Sequence, residues 1–407
     1  MKYSKQEVLQ FVKEEDVKFI RLAFCDVFGK QKNISIMEKE LQRAFEYGIA
    51  IDASAINGFG DETHSDLFLH PDPSTLVILP WRPEHGKVVR MYCDITYPDG
   101  KPFEGDTRSI LKNAIREAEN AGLSFKFGPE MEFYLFKLNE DGYPSTVTYD
   151  NAGYMDIAPE DKGENIRREI CLTLEQMDIY PESSHHEEGP GQNEIDFKYD
   201  SPLEAADNAM TFCSVVKAVV NRNGVSANFS PKPLKDEPGN GFHINFSVKD
   251  SNGSDVLPQA ISGILKHIAD MTLFLNPTEQ SYERLGNNKA PAYISWSEQN
   301  RSQLIRIPAA VGEFKRAELR SPDPAANPYL AFALMIYAAI DGIKKKSVLP
   351  KPANINLYTA PETMLQKFKT LPTSLKQASE IAKNSKFIKK YLSPLIISAY
   401  CNAEKLI

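Results

Sequence analysis

The stretch GPEMEFYLF, residues 128–136, alternates between polar and apolar side chains. Glu130 and Glu132 fall on one face of an extended chain, and Met131, Phe133 and Leu135 fall on the other, because successive side chains of a β-strand point to opposite sides. The stretch therefore predicts a strand with one face in an apolar core and the other face carrying carboxylates.

Three further runs share this period: NEIDFKY (193–199), HINFSV (243–248) and RAELRS (316–321). Their polar faces carry, in chain order, Glu194, Asp196, Lys198, His243, Asn245, Ser247, Arg316, Glu318 and Arg320. The same alternation places Tyr199 with the apolar residues of its run. A sheet with one face in water gives this pattern too, but such faces usually carry more lysine, serine and threonine than these four runs do.

A concave face lined with carboxylates would repel itself unless cations neutralised it. Glutamate oxygens with a single imidazole are ligands that suit Mg²⁺ or Mn²⁺ better than zinc. The arginines indicate an anionic substrate or a phosphoryl group in transfer. They disfavour a glycosidase-like carboxylate pair. A zinc hydrolase is disfavoured because SHHEE, residues 184–188, is not an HExxH motif, and no Walker A motif is present.

The whole chain is predicted to form two domains, because 407 residues exceed what one hydrophobic core usually organises. The Pro/Gly/Asp-rich stretch 98–108 predicts a boundary between residues 1–100 and 105–407. Helical patterns alternate with strands and no Gly-rich first turn occurs, so the fold class is predicted to be α+β. The five helical patterns are at 108–123, 164–179, 205–224, 258–277 and 327–346.

The composition of the chain argues against some classes of partner. The net charge of −8 comes without a basic tract, which argues against nucleic acid, and the longest apolar run, 329–340, is too short to cross a bilayer. The five scattered cysteines form no CxxC pair. They predict reduced thiols in a cytoplasmic protein.

The motifs resemble the bacterial type I glutamine synthetase family from about residue 15 to about residue 350. FGPEMEF is similar to the family's GPEPEF, HHEEGPGQNEIDFKY to its HHE…GQ-x-E run, and NGFHINFS to its G-x-G-x-H segment. NRSQLIRIP and RAELRSPDPAANPYLAFALMIYAAIDGIKKK match almost throughout. The resemblance implies an N-terminal β-grasp domain and a C-terminal catalytic domain built on a curved antiparallel sheet with helices. It also implies a homo-oligomer, a dodecamer with active sites between subunits.

The resemblance further implies that ATP phosphorylates the side-chain carboxylate of glutamate and that ammonia then displaces phosphate. By position, a first metal ion (Mg²⁺ or Mn²⁺) would be held by Glu130, His243 and Glu318, and a second by Glu132, Glu187 and Glu194. The nucleotide would contact Tyr199, Ser247, Arg301, Arg306 and Arg316. Glutamate would contact Arg284, Gly239, Arg306 and Arg320, and the ammonium side would include Asp52 of a neighbouring subunit and Tyr154. Arg301, Arg320, Asp52 and Lys289 are the candidate catalytic residues, whereas His185 and His186 are interpreted as packed bystanders.

Departures from the family pattern cluster on the acceptor side. The flap, residues 284–291, reads RLGNNKAP where the family reads RLVPGYEAP, and Lys289 replaces a glutamate. Ala53 and Ala55 flank Asp52 differently, and Pro238 replaces an asparagine. Three interpretations remain open: a glutamine synthetase, a ligase that uses an amine other than ammonia, and a binding or regulatory protein. Lys289 favours an amine with its own carboxylate, and Lys289→Glu is predicted to raise ammonium-dependent activity.

Overall fold

The computed structural model describes residues 3–82, 85–287, 289–310 and 315–402. Asn288 of the flap and the last five residues, 403–407, lie outside the described residues. Within the described ranges, none of the helices is long and apolar enough to cross a bilayer.

In the first part of the chain, the described residues form a six-stranded sheet with two α-helices. Its elements are α1 (Lys5–Glu14), β1 (Val17–Cys25), β2 (Gln31–Met37), α2 (Leu41–Tyr47), β3 (Ile49–Asp52), β4 (Asp66–Pro71), β5 (Val77–Ile78) and β6 (Lys87–Thr96). The strand order is β2-β1-β6-β4-β3, with β5 paired to β6. β1 and β6 run parallel, and the other pairs are antiparallel. Ser4 caps α1 in a capping box with Glu7.

The rest of the chain builds a nine-stranded sheet and ten α-helices, within the described residues. Its elements are α3 (Thr107–Asn120), β7 (Leu123–Leu138), β8 (Pro144–Thr148), α4 (Glu164–Glu175), β9 (Pro181–His186), β10 (Gln192–Phe197), α5 (Pro202–Arg222), β11 (Val225–Asn228), β12 (Phe242–Asp250), α6 (Leu257–Leu275), α7 (Glu279–Arg284), β13 (Trp296–Glu298), β14 (Ile305–Ile307), β15 (Ala317–Leu319), α8 (Pro328–Lys344), α9 (Glu362–Leu365), α10 (Leu375–Asn384), α11 (Lys386–Tyr391) and α12 (Pro394–Cys401). All five predicted helices are present as α3, α4, α5, α6 and α8.

The topology of this second sheet brings the four alternating runs together. The order is β13-β14-β15-β12-β7-β10-β9, so the strands β10, β7, β12 and β15 are consecutive neighbours. These pairs are antiparallel, and only β13 and β14 run parallel. Segments nearly two hundred residues apart in sequence therefore present their polar faces on one surface.

The opposite face of the sheet packs against helices. Phe127 of β7 stacks on Phe332 of α8 with ring centroids 4.5 Å apart. α8 begins as predicted: the Asn327 side chain accepts hydrogen bonds from Tyr329 N and Leu330 N, and Pro328 occupies the first helical position. α6 and α8 cross at Gly263 and Gly342 (a Cβ added to Gly342 would lie 2.2 Å from the Gln259 carbonyl). This helical layer fixes the sheet that carries the polar face.

The predicted face of one residue, Tyr199, is wrong. Tyr199 was placed with the apolar residues, but β10 ends at Phe197 and the pairing of β10 with β9 shifts register between Asp196 and Phe197. Tyr199 packs over Gly128, where an added Cβ would lie 2.7 Å from the tyrosine ring. The Arg316 guanidinium lies 5.8 Å from the centre of that ring. The irregularity turns Tyr199 to the polar side because it breaks the strict period of two.

A buried ionic network joins the two sheets. Arg108, in the first turn of α3, is 3% exposed. It donates to Asp72 (2.9 Å) and Asp94 (3.0 Å) from the first part of the chain, and to Asp207 (2.9 Å) on α5. The Tyr329 hydroxyl also donates to Asp207 at 2.7 Å. The network fixes the first sheet against the helical layer of the second.

Candidate active site

A polar cleft of about 630 Å³ lies over the neighbouring strands β10, β7 and β12. In the register of the sheet, Glu130 faces His243 on one side and Asp196 on the other, and Glu132 faces Glu194. The predicted site residues that line the cleft are Glu130, Glu132, Tyr154, Glu187, Glu194, Gly239, His243, Arg284, Lys289, Arg301, Arg306, Arg316 and Arg320. The predicted residues outside its lining are Asp52, Tyr199, Ser247 and Glu318.

The first predicted metal group is spatially complete. His243 Nδ1 lies 3.5 Å from Glu130 Oε2 and 3.8 Å from Glu318 Oε1. One donor atom from each of these three residues falls within 4.8 Å of the others. Glu318 is 1% exposed and lies beneath the cleft lining, so it reaches this group from below.

The second predicted metal group is arranged differently from the expectation. Glu132, Glu187 and Glu194 do not form one cluster of three donors among the described residues. Instead Glu194 belongs to two clusters, one with Glu132 and His243 and one with His185 and Glu187. His185 also lies beside these carboxylates: its Nε2 lies 3.0 Å from Glu187 Oε1, and the side chain lines the cleft.

His186 behaves as the sequence suggested. It is fully buried, and its ring nitrogens contact Asp150 at 2.9 Å and the Glu187 carbonyl at 2.7 Å. Asp150 also accepts hydrogen bonds from Lys162 N and Gly191 N. This histidine stabilises the loop that carries Glu187.

Burial and neighbouring carboxylates disfavour the ionised form of several carboxylates in the cleft. Burial and the nearby Glu318 raise the pKa of Glu130 to about 7. Burial and Asp196 hold the pKa of Glu194 well above its usual range, and burial and Glu130 raise the pKa of Asp196 to about 6. Buried like charges resist ionising together. The clustered donor atoms thus fit divalent cations with oxygen ligands, which would favour the ionised form of these carboxylates.

Two groups of the cleft already have the ionisation state that a metal ligand needs. Burial and Arg320 lower the pKa of His243 to about 4, so its imidazole is neutral near pH 7. Burial acts to raise the pKa of Glu318, but Arg320, His243 and Arg306 together lower it to about 2. Arg306 donates to Glu318 at 2.9 Å and Arg320 at 3.0 Å.

The arginines of the cleft differ in how many hydrogen-bond partners their guanidinium groups already have. Arg284 is buried, and it donates to the backbone carbonyls of Ser321 (2.7 Å) and Arg320 (3.4 Å). Arg316 donates to Asn245 Oδ1 at 3.1 Å. The Nε of Arg306 is buried and has no hydrogen-bond partner among the residues that the structure describes. Arg301 is exposed at the rim. These four side chains place guanidinium groups around the carboxylate cluster.

Three supporting residues were not assigned from the sequence. Gln192 donates to Glu132 Oε2 at 3.0 Å and to the Gly239 carbonyl at 3.2 Å, so it joins a candidate ligand to a candidate substrate loop. Asn245 donates to Glu130 Oε1. The Tyr358 hydroxyl donates to the carbonyl oxygens of two cleft residues, Lys289 and Arg301. Asn245 and Gln192 could have been selected from their strand positions, but nothing in the sequence around Tyr358 indicates its contacts.

The loop around Pro238 is held without the asparagine of the family pattern. The Tyr134 hydroxyl donates to the Pro238 carbonyl at 2.7 Å. A Cβ added to Gly239 would lie 2.4 Å from the Pro231 carbonyl and 2.8 Å from Arg284 Cγ. Glycine is therefore required here by close approach rather than by its dihedral freedom.

Lys289 crosses the mouth of the cleft. Its Nζ forms an ion pair with Glu188, the residue after Glu187. Glu188 also lines the cleft. The charged end of Lys289 is therefore paired across the cleft, while 56% of its side chain is exposed.

Two predicted residues lie away from the cleft of this chain. Asp52 ends β3 in the first sheet, is exposed, and accepts hydrogen bonds from Ser54 N (2.9 Å) and Ser54 Oγ (2.6 Å). Ser247 lies on β12 opposite Lys126, four residues beyond His243.

Comparison with known proteins gives the family. Residues 16–98 match the family model described as the glutamine synthetase β-grasp domain, and residues 104–406 match the glutamine synthetase catalytic domain. A glutamine synthetase of Methanosarcina mazei is 46% identical, with 99% of this chain and 94% of that protein covered. Those of Clostridium saccharobutylicum (98% and 94% covered) and Staphylococcus aureus (99% and 94% covered) are 44% and 41% identical.

Solved structures agree in fold. The chain of a GmaS complex with ADP superposes with a TM-score of 0.88 at 26% identity, covering 98% of this chain and 94% of that one. Plasmodium falciparum glutamine synthetase superposes at 0.87 with 24% identity, covering 100% and 96%. The predicted fold, a β-grasp domain followed by a catalytic domain, is confirmed. The chain belongs to the glutamine synthetase family of ligases.

Proposed function

We propose that this protein is a glutamine synthetase of the bacterial type I subgroup, which joins ammonia to the side-chain carboxylate of glutamate using ATP. The observation that carries the proposal is the cleft itself. Buried carboxylates, a neutral His243 and five arginines converge on one face of the sheet. A site of this kind neutralises the charge of a phosphoryl group during its transfer. Family membership alone does not require a chain to bring all of these groups together.

The carboxylate cluster would hold two divalent cations, Mg²⁺ or Mn²⁺. Glu130, His243 and Glu318 would hold one, and Glu132, Glu187 and Glu194 the other, with His185 beside Glu187. When bound, such ions withdraw charge from phosphate oxygens. Arg306 and Arg320 hold Glu318 ionised. Gln192 keeps one oxygen of Glu132 in place at 3.0 Å.

The remaining side chains would position the substrates. Tyr199, Ser247, Arg301, Arg306 and Arg316 would contact ATP, and Arg284, Gly239, Arg306 and Arg320 would contact glutamate. The side-chain carboxylate of glutamate attacks the terminal phosphorus, ADP leaves, and ammonia then displaces phosphate from the carbonyl carbon. The arginines compensate the charge that passes between these oxygens.

Ammonia is the acceptor favoured by the mouth of the cleft. A free lysine there would attract an amine that carries a carboxylate, but the charge of Lys289 is already neutralised by Glu188. No other described lysine lines the cleft. Lys289 is therefore not free to select an amine that carries its own carboxylate, which favours ammonia as the acceptor.

The proposed domain bounds and oligomeric state follow the family. The domains would span residues 1–100 and 105–407, in agreement with the two matched ranges, 16–98 and 104–406. The protein would be a homo-oligomer, a dodecamer, in which Asp52 of one subunit reaches the cleft of the next near Tyr154. Asp52 is exposed and ends a strand remote from its own cleft, which supports that arrangement. A cytoplasmic location is supported by the five free cysteines.

The test measures phosphate release and amide formation together. Purified protein with ATP and Mg²⁺ receives glutamate with ammonium, and in parallel glutamate with methylamine, ethylamine or glycine. We expect stoichiometric glutamine and phosphate with ammonium. Turnover with only another amine would transfer the proposal to that amine, and ATP binding without turnover would indicate a binding protein.

A matched pair of variants assigns the activity to the cleft. Glu194→Gln removes one carboxylate of the cluster and is expected to lower turnover by about 100-fold or more. Glu175→Gln changes an exposed glutamate at the end of α4 and is expected to leave turnover unchanged. Equal turnover of both variants would contradict the placement of the active site.

A further inference from the structure

The ion pair between Lys289 and Glu188 is not explained by the chemistry above. Glu188 lies on the loop between β9 and β10, whereas Lys289 lies on the flap, about a hundred residues later. Both side chains line the cleft at its mouth. The pair therefore joins two sides of the opening by one side-chain contact.

The backbone of Lys289 is held by hydrogen bonds, in addition to the ion pair of its side chain. Its carbonyl oxygen accepts hydrogen bonds from the Tyr358 hydroxyl and from Arg320 Nη1 (3.4 Å). Its backbone has φ +66°, a left-handed conformation that costs a non-glycine residue about 1 kcal/mol. Residues persist in such conformations where surrounding contacts determine them. Lys289 itself is thus held by its contacts with Tyr358 and Arg320, and its side chain is directed across the cleft.

Glu188 in turn contacts the candidate metal group. Its backbone nitrogen donates to Glu187 Oε2 at 3.0 Å, and Glu187 contacts His185. A movement of the flap would therefore act on the loop of Glu187 through a single contact. The isolated pair is partly exposed, with 56% of the lysine and 37% of the glutamate side chain accessible, so it contributes little to global stability.

We propose that Lys289 and Glu188 form a latch that holds the flap closed over the acyl phosphate and neutralises the charge of the lysine. The inference rests on the proposed function and concerns two positioning residues of it. An open flap admits water. Water attacks the carbonyl carbon, the C–O bond to phosphate breaks, and glutamate and phosphate are released, so that ATP is hydrolysed without amide formation.

The latch gives a measurable coupling ratio. The wild-type protein is expected to release one phosphate per glutamine formed. Lys289→Met and Glu188→Gln are each expected to raise that ratio to about two or more, because a closed site excludes competing water. The double variant Glu188→Lys/Lys289→Glu restores opposite charges and is expected to return the ratio towards one. An unchanged ratio in both single variants would overturn the proposal.

The two single variants also distinguish the effect of charge at the mouth on the KM for ammonium from the effect of the lost contact. Glu188→Gln leaves the lysine charge at the mouth, so the KM for ammonium is expected to rise about threefold to tenfold. Lys289→Met leaves a carboxylate, so this KM is expected to fall or stay the same. A merely structural role would shift KM in the same direction in both variants, and that result would also contradict the proposal. Lys289→Glu alone places two carboxylates together and is expected to uncouple the reaction, which reverses the expectation from sequence.

A matched control and an activity-independent measurement complete the test. Lys344 pairs with Glu117 at 3.6 Å, with 56% and 35% of the two side chains exposed. Lys344→Met is expected to change neither ratio nor KM. Hydrogen exchange of the peptide 285–292, without substrates, is expected to accelerate in both single latch variants and to recover in the double variant. Unchanged exchange would contradict the latch even if the wild-type protein formed no glutamine, whereas that absence of product would contradict the proposed function.

Discussion

At the scale of single residues, alternation in the sequence located the carboxylates but not their partners. Glu130, Glu132 and Glu194 were selected because period two places them on one face, and the sheet register sets them opposite one another. The partners of Lys289 and Tyr358 were not accessible in this way. Their contacts join segments about a hundred and about seventy residues apart through loops, where no period fixes which way a side chain points.

Tyr358 gives a prediction about a residue that the motifs did not select. Tyr358→Phe removes the hydroxyl that donates to the carbonyl oxygens of Lys289 and Arg301, while the ring is retained. One such hydrogen bond contributes about 1 kcal/mol, so we expect kcat/KM for glutamate to fall about threefold to tenfold. Steady-state kinetics measure the change. Kinetics identical to those of the wild-type protein would show that the hydroxyl does not position the flap.

The raised carboxylate pKa values predict how pH changes the effect of metal. The pKa of Glu130 is raised from 4.5 to about 7 and that of Asp196 from 3.8 to about 6. The unfolded chain therefore loses these protons at lower pH than the folded chain does, and stability without metal falls as pH rises from about 4 to about 7. Bound cations would remove this penalty. We expect Mg²⁺ or Mn²⁺ to raise Tm by more at about pH 8 than at about pH 5.5.

Differential scanning fluorimetry with and without metal checks this pH dependence. The Glu175→Gln variant, which alters an exposed carboxylate, provides the control and should follow the wild-type curve. An equal or larger metal effect at the lower pH would show that these carboxylates do not receive the ions.

At the scale of elements, helices were predicted more accurately than strand ends. α8 begins at the predicted cap, because Asn327 and Pro328 leave few alternatives for a helix start. Strand patterns are less decisive, since a shift of one residue turns every later side chain over. Tyr199 shows this: the irregularity after Asp196 places it on the polar side of the sheet. The short strand β5 is limited to Val77–Ile78, because residues 73–75 before it form a 3₁₀ turn.

The crossing of α6 and α8 gives a prediction at this scale. A Cβ at position 342 would lie 2.2 Å from the Gln259 carbonyl and 2.8 Å from Gly263 Cα. Gly342→Ala is therefore expected to destabilise the protein by about 1–3 kcal/mol, since backbone atoms cannot yield as a flexible side chain can. Urea unfolding measures the change. Gly153→Ala, whose Cβ would lie 3.5 Å from Asp156, is the control and should remain within about 0.5 kcal/mol of wild type.

At the scale of the whole molecule, the order of the two sheets follows the chain and the predicted boundary lies between β6 and α3. Sequence alone did not reveal how the parts are joined. Arg108 stands in the boundary segment itself, and only the folded chain shows that it gathers aspartates from both sides. The proposed role of Asp52 cannot be seen in one chain, because it requires a neighbouring subunit.

Arg108 provides the prediction for the joint between the sheets. Arg108→Met leaves Asp72, Asp94 and Asp207 without their shared cation, and breaking such a buried pair costs about 3–5 kcal/mol. We expect a corresponding loss of unfolding free energy in urea. Arg116→Met, at an exposed position on the same helix, is expected to change it by less than about 0.5 kcal/mol. Similar stability of the two variants would contradict the role of the network.

The central claim is that glutamate is activated by phosphorylation in this cleft, and isotope transfer tests it most directly. Glutamate labelled with ¹⁸O in its side-chain carboxylate is incubated with ATP, Mg²⁺, ammonium and the protein, and the released phosphate is examined by mass spectrometry. Attack of the carboxylate on phosphorus, followed by cleavage of the C–O bond by ammonia, transfers one labelled oxygen to each phosphate. We predict one ¹⁸O per phosphate and one glutamine per phosphate. Phosphate released without label would contradict the account.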